Sequence, residues 1–202
     1  LRVDYEDECS VQPIGDLLVE PLLEMLRKIC ASADATLVSD YNKGFLTKQL
    51  CNRLLDEVMQ KPVLADVKPD QAGYFVGVHM MTPNLTEGSH MLGLTEVGSP
   101  EVVAPMLAKR LNTEVFLTAG SRGISIADKS GVVDIVEQPH RVKVSDESGC
   151  GDTAAATILL AKLCGATSIE AAELANAAAA VTVSMVGAYA PTPEEVLRML
   201  GS

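Results

Sequence analysis

The stretch Asp146-Glu147-Ser148-Gly149-Cys150-Gly151-Asp152-Thr153 runs directly into the Ala-rich segment Ala154–Cys164, and its reading decides the fold. Two glycines flank one small residue just before a strongly helical run. Such a turn lets successive backbone N–H groups converge, and the helix start adds partial positive charge. The product is an anion hole with Asp152 at its rim. A carboxylate there can take a proton from an alcohol while the hole stabilises charge on a transferring phosphoryl group. The plainer alternative is that Ser148 and Asp152 cap a helix and the glycines make a tight turn, since short glycine motifs are weak evidence alone. A nucleophilic Cys150 is disfavoured, because no His lies near it in the sequence.

Upstream of this turn, short β-rich runs alternate with helical stretches. Ala35–Asp40 reads as a buried strand, Thr47–Gln60 as a helix through Leu50, Leu54, Leu55 and Val58, and Pro62–Val67 as the next strand. His79–Thr82 is a third strand, Asn84–Leu92 and Pro100–Leu111 are helices, and Glu114–Thr118 is a fourth strand. Strands separated by helices imply crossovers and a mostly parallel sheet. Gly123–Asp128 and Val132–Glu137 read as a hairpin around Lys129-Ser130-Gly131. The helices Asp152–Cys164, Ser168–Met185 and Pro193–Leu200 follow, with Gly165 fitting a helix stop. The whole predicts one three-layer α/β/α unit over residues 1–202.

The bulk numbers narrow the function classes. The chain has 202 residues, of which 48% are hydrophobic and only 3% aromatic, so the core is aliphatic. A net charge of -11 argues against a nucleic-acid partner. The five cysteines are odd in number and form no CxxC pair, which argues against a disulfide framework or structural zinc and for a reducing cytoplasm. No apolar stretch approaches the ~20 residues needed to span a membrane. No dinucleotide fingerprint or P-loop is present, so a dehydrogenase is disfavoured. The opening Leu1-Arg2-Val3-Asp4-Tyr5-Glu6 reads as the middle or end of a strand without an initiator Met, and a piece of a longer protein is expected.

The Asp146–Asp152 segment resembles the D-x-T-G-A-G-D signature of the ribokinase/PfkB carbohydrate kinases, with Ser148 for Thr and Cys150 for Ala. That resemblance implies a ribokinase-like fold, of which this chain is the C-terminal, nucleotide-binding portion. It makes Asp152 the catalytic base and the amides of Gly149, Cys150 and Gly151 the anion hole. Thr82-Pro83-Asn84-Leu85-Thr86-Glu87 resembles the family's N-x-x-E motif, which assigns Asn84 and Glu87 to Mg²⁺, its waters and the ATP phosphates. A capping box reads equally well from the same residues. Leu117–Gly123 resembles the nucleotide loop, through Thr118, Gly120 and Gly123, and the run around Asn176 implies small side chains against adenine. Close helix packing is the other reading of that run. Asp146, with the later turn Val186-Gly187-Ala188, implies a monovalent-cation site for K⁺.

Val38–Gly44, with its S-D-Y-x-K-G pattern, and Ala65-Asp66-Val67-Lys68 resemble the D-glycero-β-D-manno-heptose-7-phosphate kinase branch, the kinase part of bifunctional heptose kinase/adenylyltransferases. Lys43 and Lys68 are then expected to meet an anionic sugar phosphate, with Asp40 orienting them or binding a hydroxyl; two ordinary surface lysines are the even alternative. Members of the branch also carry an N-terminal part with much of the sugar pocket and a β-lid, which often makes dimers. Neither that part nor an adenylyltransferase motif is found among these residues, so weak nucleotide binding and poor sugar turnover are expected of this chain alone. A non-catalytic nucleotide-binding module, and a fructose-type or nucleoside kinase, are the competing functions.

Overall fold

The computed structural model describes residues 15–139 and 141–201; the strand expected at Leu1–Glu6 lies outside them. Among the described residues six strands form one sheet in the order β1(Thr36–Asp40), β2(Val63–Val67), β3(Met80–Met81), β4(Glu114–Thr118), β5(Ile124–Ala127) and β6(Val133–Val136). The first four run parallel, and β5 and β6 add an antiparallel hairpin at the edge. Every strand therefore neighbours its predecessor in the sequence. Crossovers that all step one way and keep one hand leave their helices on a single face. That is observed: α2(Lys48–Val58), α3(Leu85–Met91) and α4(Pro100–Leu111) share a core with Val63, Ala65 and Val67 of β2 and with Val115 and Leu117 of β4.

The opposite face is covered by the helices that follow the hairpin. Leu64, Met80, Phe116, Ile124, Ile126 and Val136 pack there against α5(Cys150–Leu163) and α6(Ser168–Ser184). Alternate residues of the strands thus feed two cores, and the sheet is the middle of three layers. The Ala-rich faces let α5 and α6 lie close together; Ala171, Ala172 and Ala175 of α6 are fully buried. A final helix, α7(Pro193–Leu200), packs on α6 through Val196. It begins with a capping box, Thr192 accepting from the Glu195 amide and Glu195 accepting from the Thr192 amide.

One element was not read from the sequence. Helix α1(Asp16–Ser32) packs on α2 and buries Val19 and Leu23, with Leu22, Leu26 and Cys30 partly buried beside them. The spacing of those residues is helical, and Pro21 near the helix start obscures it. Among the described residues no helix is long and apolar enough to cross a membrane.

Candidate active site

All parallel strands end at one edge of the sheet, and in open α/β sheets the crevice at that edge takes ligands. Ser39, Asp40 and Tyr41 sit at the end of β1, Asp66 and Lys68 at the end of β2, Asn84 after β3, and Thr118 at the end of β4. The start of α5 overhangs the first two of these strands.

Gly149 precedes α5 in the left-handed conformation, with φ 80°, and no side chain caps the helix. The capping alternative for Ser148 therefore fails. Its amide instead donates to Asp146 Oδ1 at 2.9 Å. The helix begins at Cys150, two residues earlier than its sequence pattern suggests, so Asp152 falls in the first turn. Amides in a first turn lack partners within the helix. That of Cys150 is partly engaged, donating to the Glu147 carbonyl over a long 3.3 Å. The Cys150 thiol is half-buried, and burial first, then Glu147 and Asp146, raises its pKa, which holds it as the thiol and not the nucleophilic thiolate.

Asp152 reaches across to β1. Tyr41 Oη donates to its carboxylate, 2.9 Å from Oδ1 and 2.7 Å from Oδ2, and Ser39 Oγ lies 3.5 Å from Oδ1. Strand register explains the neighbours. Ser39 pairs with Asp66 across β1 and β2, and both face the α5 side of the sheet. Asp66 is the most perturbed acid of the cleft. Burial foremost, then Glu87 and Asp152, push its pKa from 3.8 to about 6, against the opposing pull of Lys68.

Asn84 and Glu87 form the capping box of α3: Asn84 Oδ1 accepts from the Glu87 amide at 2.8 Å, and Glu87 Oε2 accepts from the Asn84 amide at 3.1 Å. This leaves Oε1 for Lys68 Nζ, which donates at 2.6 Å. The backbone of Asn84 also bridges to Thr118, and the Thr118 amide donates to the Pro83 carbonyl at 3.0 Å. The N-x-x-E and nucleotide-loop segments are thereby joined. Gly120 lies open, with no atom within 4 Å of where a Cβ would stand.

Several expected residues are placed otherwise. Asp40 is buried on the α2 face, because strand alternation turns it away from Ser39. Its Oδ1 accepts from the Asn42 amide at 2.9 Å, and its Oδ2 is buried without a hydrogen-bond partner. It shapes the loop that carries Tyr41 and does not orient the lysines. Lys43 is exposed on that loop, and Lys68 donates to Glu87. Gly123 meets its own chain and not open space: a Cβ there would lie 2.1 Å from the Val136 carbonyl oxygen. Asn176 is buried, and its Nδ2 donates to the carbonyls of Val136 and Glu137 at 3.1 and 3.2 Å. Its side chain anchors the end of β6 and is not presented to an adenine. Asp146 clasps two loops, with Oδ2 accepting from the Gly187 amide at 3.0 Å.

A family model for pfkB family carbohydrate kinases matches residues 16–195. The chain belongs to the pfkB family of carbohydrate kinases. Members of this family transfer a phosphoryl group to a hydroxyl. The curated relatives include the bifunctional protein HldE of Helicobacter hepaticus, 30% identical over 99% of this chain and 42% of that protein. HldE of Caulobacter vibrioides is 33% identical over 97% of this chain and 40% of that protein. The chain thus spans well under half the length of these relatives. The fold matches Arabidopsis thaliana ribokinase complexed with ribose and ATP, with a TM-score of 0.74 at 24% identity over 93% of this chain and 60% of that one. A mutant of phosphofructokinase-2 from Escherichia coli matches with a TM-score of 0.79 at 16% identity over 94% of this chain and 62% of that one.

Within this pfkB frame, Asp66, Ser39 and Tyr41 are the cleft residues that the sequence reading did not single out. Asp66 carries a stability prediction. Its folded pKa lies above its unfolded value, so the folded chain holds more protons between pH 3.8 and about 6. Stability contributed by this group then falls as pH rises through that window, and the cost is complete above it. Asp66→Asn is expected to stabilise the magnesium-free protein by about 3 kcal/mol at pH 7 and by only about 0.5 kcal/mol at pH 4. Thermal melts of both proteins across that range measure it.

Proposed function

We propose that the chain supplies the base, the anion hole and the nucleotide site of an ATP-dependent sugar kinase, with D-glycero-β-D-manno-heptose 7-phosphate as acceptor at its C1 hydroxyl. One observation carries this reading: Asp152 stands in the uncapped first turn of α5 and faces the carboxyl ends of β1 and β2, where Ser39, Tyr41 and Asp66 gather. The Asp152 carboxylate accepts the proton of the acceptor hydroxyl as its oxygen bonds to the γ-phosphorus and the bond from that phosphorus to the β,γ-bridging oxygen breaks, with ADP as the leaving group. The amides of Gly149, Cys150 and Gly151, with that of Asp152, face the charge that builds on the phosphoryl oxygens. The Thr118–Gly123 loop holds the nucleotide, with Gly120 offering open backbone.

The residues present fit Mg²⁺. Among the described residues no three metal-ligating side chains cluster into an all-protein cage, yet Glu87 and Asp66 offer oxygen donors in an acidic pocket. Mg²⁺ keeps most of its waters and asks for little more. When bound, it offsets charge on the ATP phosphates. Asn84 and Glu87 would hold its waters, and Lys68, now paired with Glu87, would exchange that contact for a phosphate. Phosphofructokinase-2 of Escherichia coli has been solved in complex with potassium. The loops joined by Asp146 are where a potassium ion would bind here.

The heptose acceptor is supported by the S-D-Y-x-K-G pattern at Ser39–Gly44 and by the HldE relatives. A protein with these substrates works in the cytoplasm, and a homodimer fits the reading. Phosphoryl acceptors tested in parallel, with Mg–ATP and with the chain joined to any upstream sequence of its gene, decide the substrate. Heptose 7-phosphate is expected to give the highest kcat/KM. A higher value for a fructose-type sugar or a nucleoside overturns the acceptor assignment. Calorimetric binding of Mg–ATP with no turnover of any acceptor instead identifies a non-catalytic module.

A further inference from the structure

We propose that Tyr41 holds the place of the acceptor hydroxyl, its phenol covering the proton-accepting face of Asp152 until an alcohol displaces it. This rests on the kinase reading above. The phenolic oxygen lies 2.9 Å from Oδ1 and 2.7 Å from Oδ2 of Asp152. A single O–H this close to both oxygens sits in the mouth of the carboxylate. An alcohol that gives its proton to Asp152 must come within about 2.6–3.2 Å of one of the same oxygens. The acceptor and the phenol therefore compete for one position.

The phenol is held but not locked. Tyr41 is 55% exposed and begins the loop after β1, next to Asn42 in the left-handed conformation with φ 57°. Its ring lies 5.8 Å from Lys68 Nζ, at the outer limit of a cation–π contact. The charged groups that face it are Asp152, Asp66 and Lys68. The hydrogen bond to Asp152, then burial, raise its pKa, so it remains a neutral donor like the alcohol it imitates. A site whose competent form is only partly populated binds its ligand more weakly by that fraction. The fold thus protects its base from other donors and makes the acceptor displace the guard.

Tyr41→Phe keeps the ring and removes the competitor. The expected result, in the longest chain that phosphorylates the acceptor, is a KM for heptose 7-phosphate roughly tenfold lower, with kcat and the KM for ATP nearly unchanged. A raised acceptor KM makes Tyr41 a substrate-binding residue, and an unmoved KM makes it structural; either result overturns the proposal. A second readout needs no turnover. The ultraviolet titration difference between the native chain and Tyr41→Phe isolates this phenol. It is expected to ionise above the usual tyrosine range, and to return toward that range in Asp152→Asn and on saturation with heptose 7-phosphate. Ordinary titration in the free protein refutes the contact whatever the activity. A high titration point in a protein that phosphorylates no acceptor leaves the contact standing and removes the kinase reading, and with it the guarding role.

Discussion

Asp152→Asn is expected to reduce turnover by roughly 10²–10⁴-fold while leaving Mg–ATP binding within a small factor of the native value. The amide keeps the size of the carboxylate and can still accept from Tyr41 Oη, so the first turn of α5 and the loop after β1 should hold their places. What it loses is the ability to take a proton. The proposed anion hole would not depend on that side chain, because the donors assigned to it are backbone amides around the left-handed Gly149. Residual catalysis from positioning and from the hole should therefore survive. Steady-state kinetics with calorimetric nucleotide binding measures both quantities. Retained turnover would remove Asp152 from the chemistry, and lost nucleotide binding would mean that the substitution had disturbed the helix start.

The largest stability loss is expected at Gly123. Its φ of 87° is costly for any residue with a side chain, and an added Cβ would meet the Val136 oxygen at 2.1 Å and the Gln138 nitrogen at 2.7 Å. Both obstacles are backbone and cannot rotate aside. Gly123→Ala must either part the start of β5 from the end of β6 or deform the loop from Thr118. The positive φ alone costs about 1–3 kcal/mol, and the clash adds a comparable amount. A loss of about 4 kcal/mol is expected, which lowers the melting temperature by roughly 10 °C in a chain of this size. Because the displaced segment is the loop proposed to hold the nucleotide, the affinity for Mg–ATP should fall with it. A melt that coincides with the native one would show that the approach of the two chain segments is looser than described.

The layered fold was legible because its signals are local. Runs such as Val63–Val67 and Glu114–Thr118 are apolar on both faces, as strands buried between two helix layers must be, and the crossovers between them are helical in period. The glycine turn was legible for a related reason: only a left-handed residue followed by a good helix former makes that corner, and Gly149 with the alanines supplies both. Helix α1 escaped notice because Pro21 interrupts a pattern that Val19, Leu22, Leu23 and Leu26 otherwise spell out.

The cleft was harder to read, for reasons of geometry. At the end of β1 the sequence offers Ser39, Asp40 and Tyr41, and charge draws the eye to Asp40. Alternation decides otherwise: Val38 is in the α2-side core, Asp40 shares its parity, and Ser39 takes the other face. The same count places Asp66 with Leu64, toward α5. Asn176 could not be placed from its own helix. Its partners are the carbonyls of Val136 and Glu137, some forty residues earlier, and only the tertiary fold brings that strand end to α6.

In the proposed reaction the first turn of α5 and the carboxylate beside it receive the transferring phosphoryl group. Amide-resolved NMR of the chain titrated with a non-hydrolysable Mg–ATP analogue tests it most directly. The amides of Gly149, Cys150, Gly151 and Asp152 are expected to shift together with that of Gly120, along one saturation curve. Shifts confined to other parts of the chain, with these amides unmoved at saturation, would contradict it.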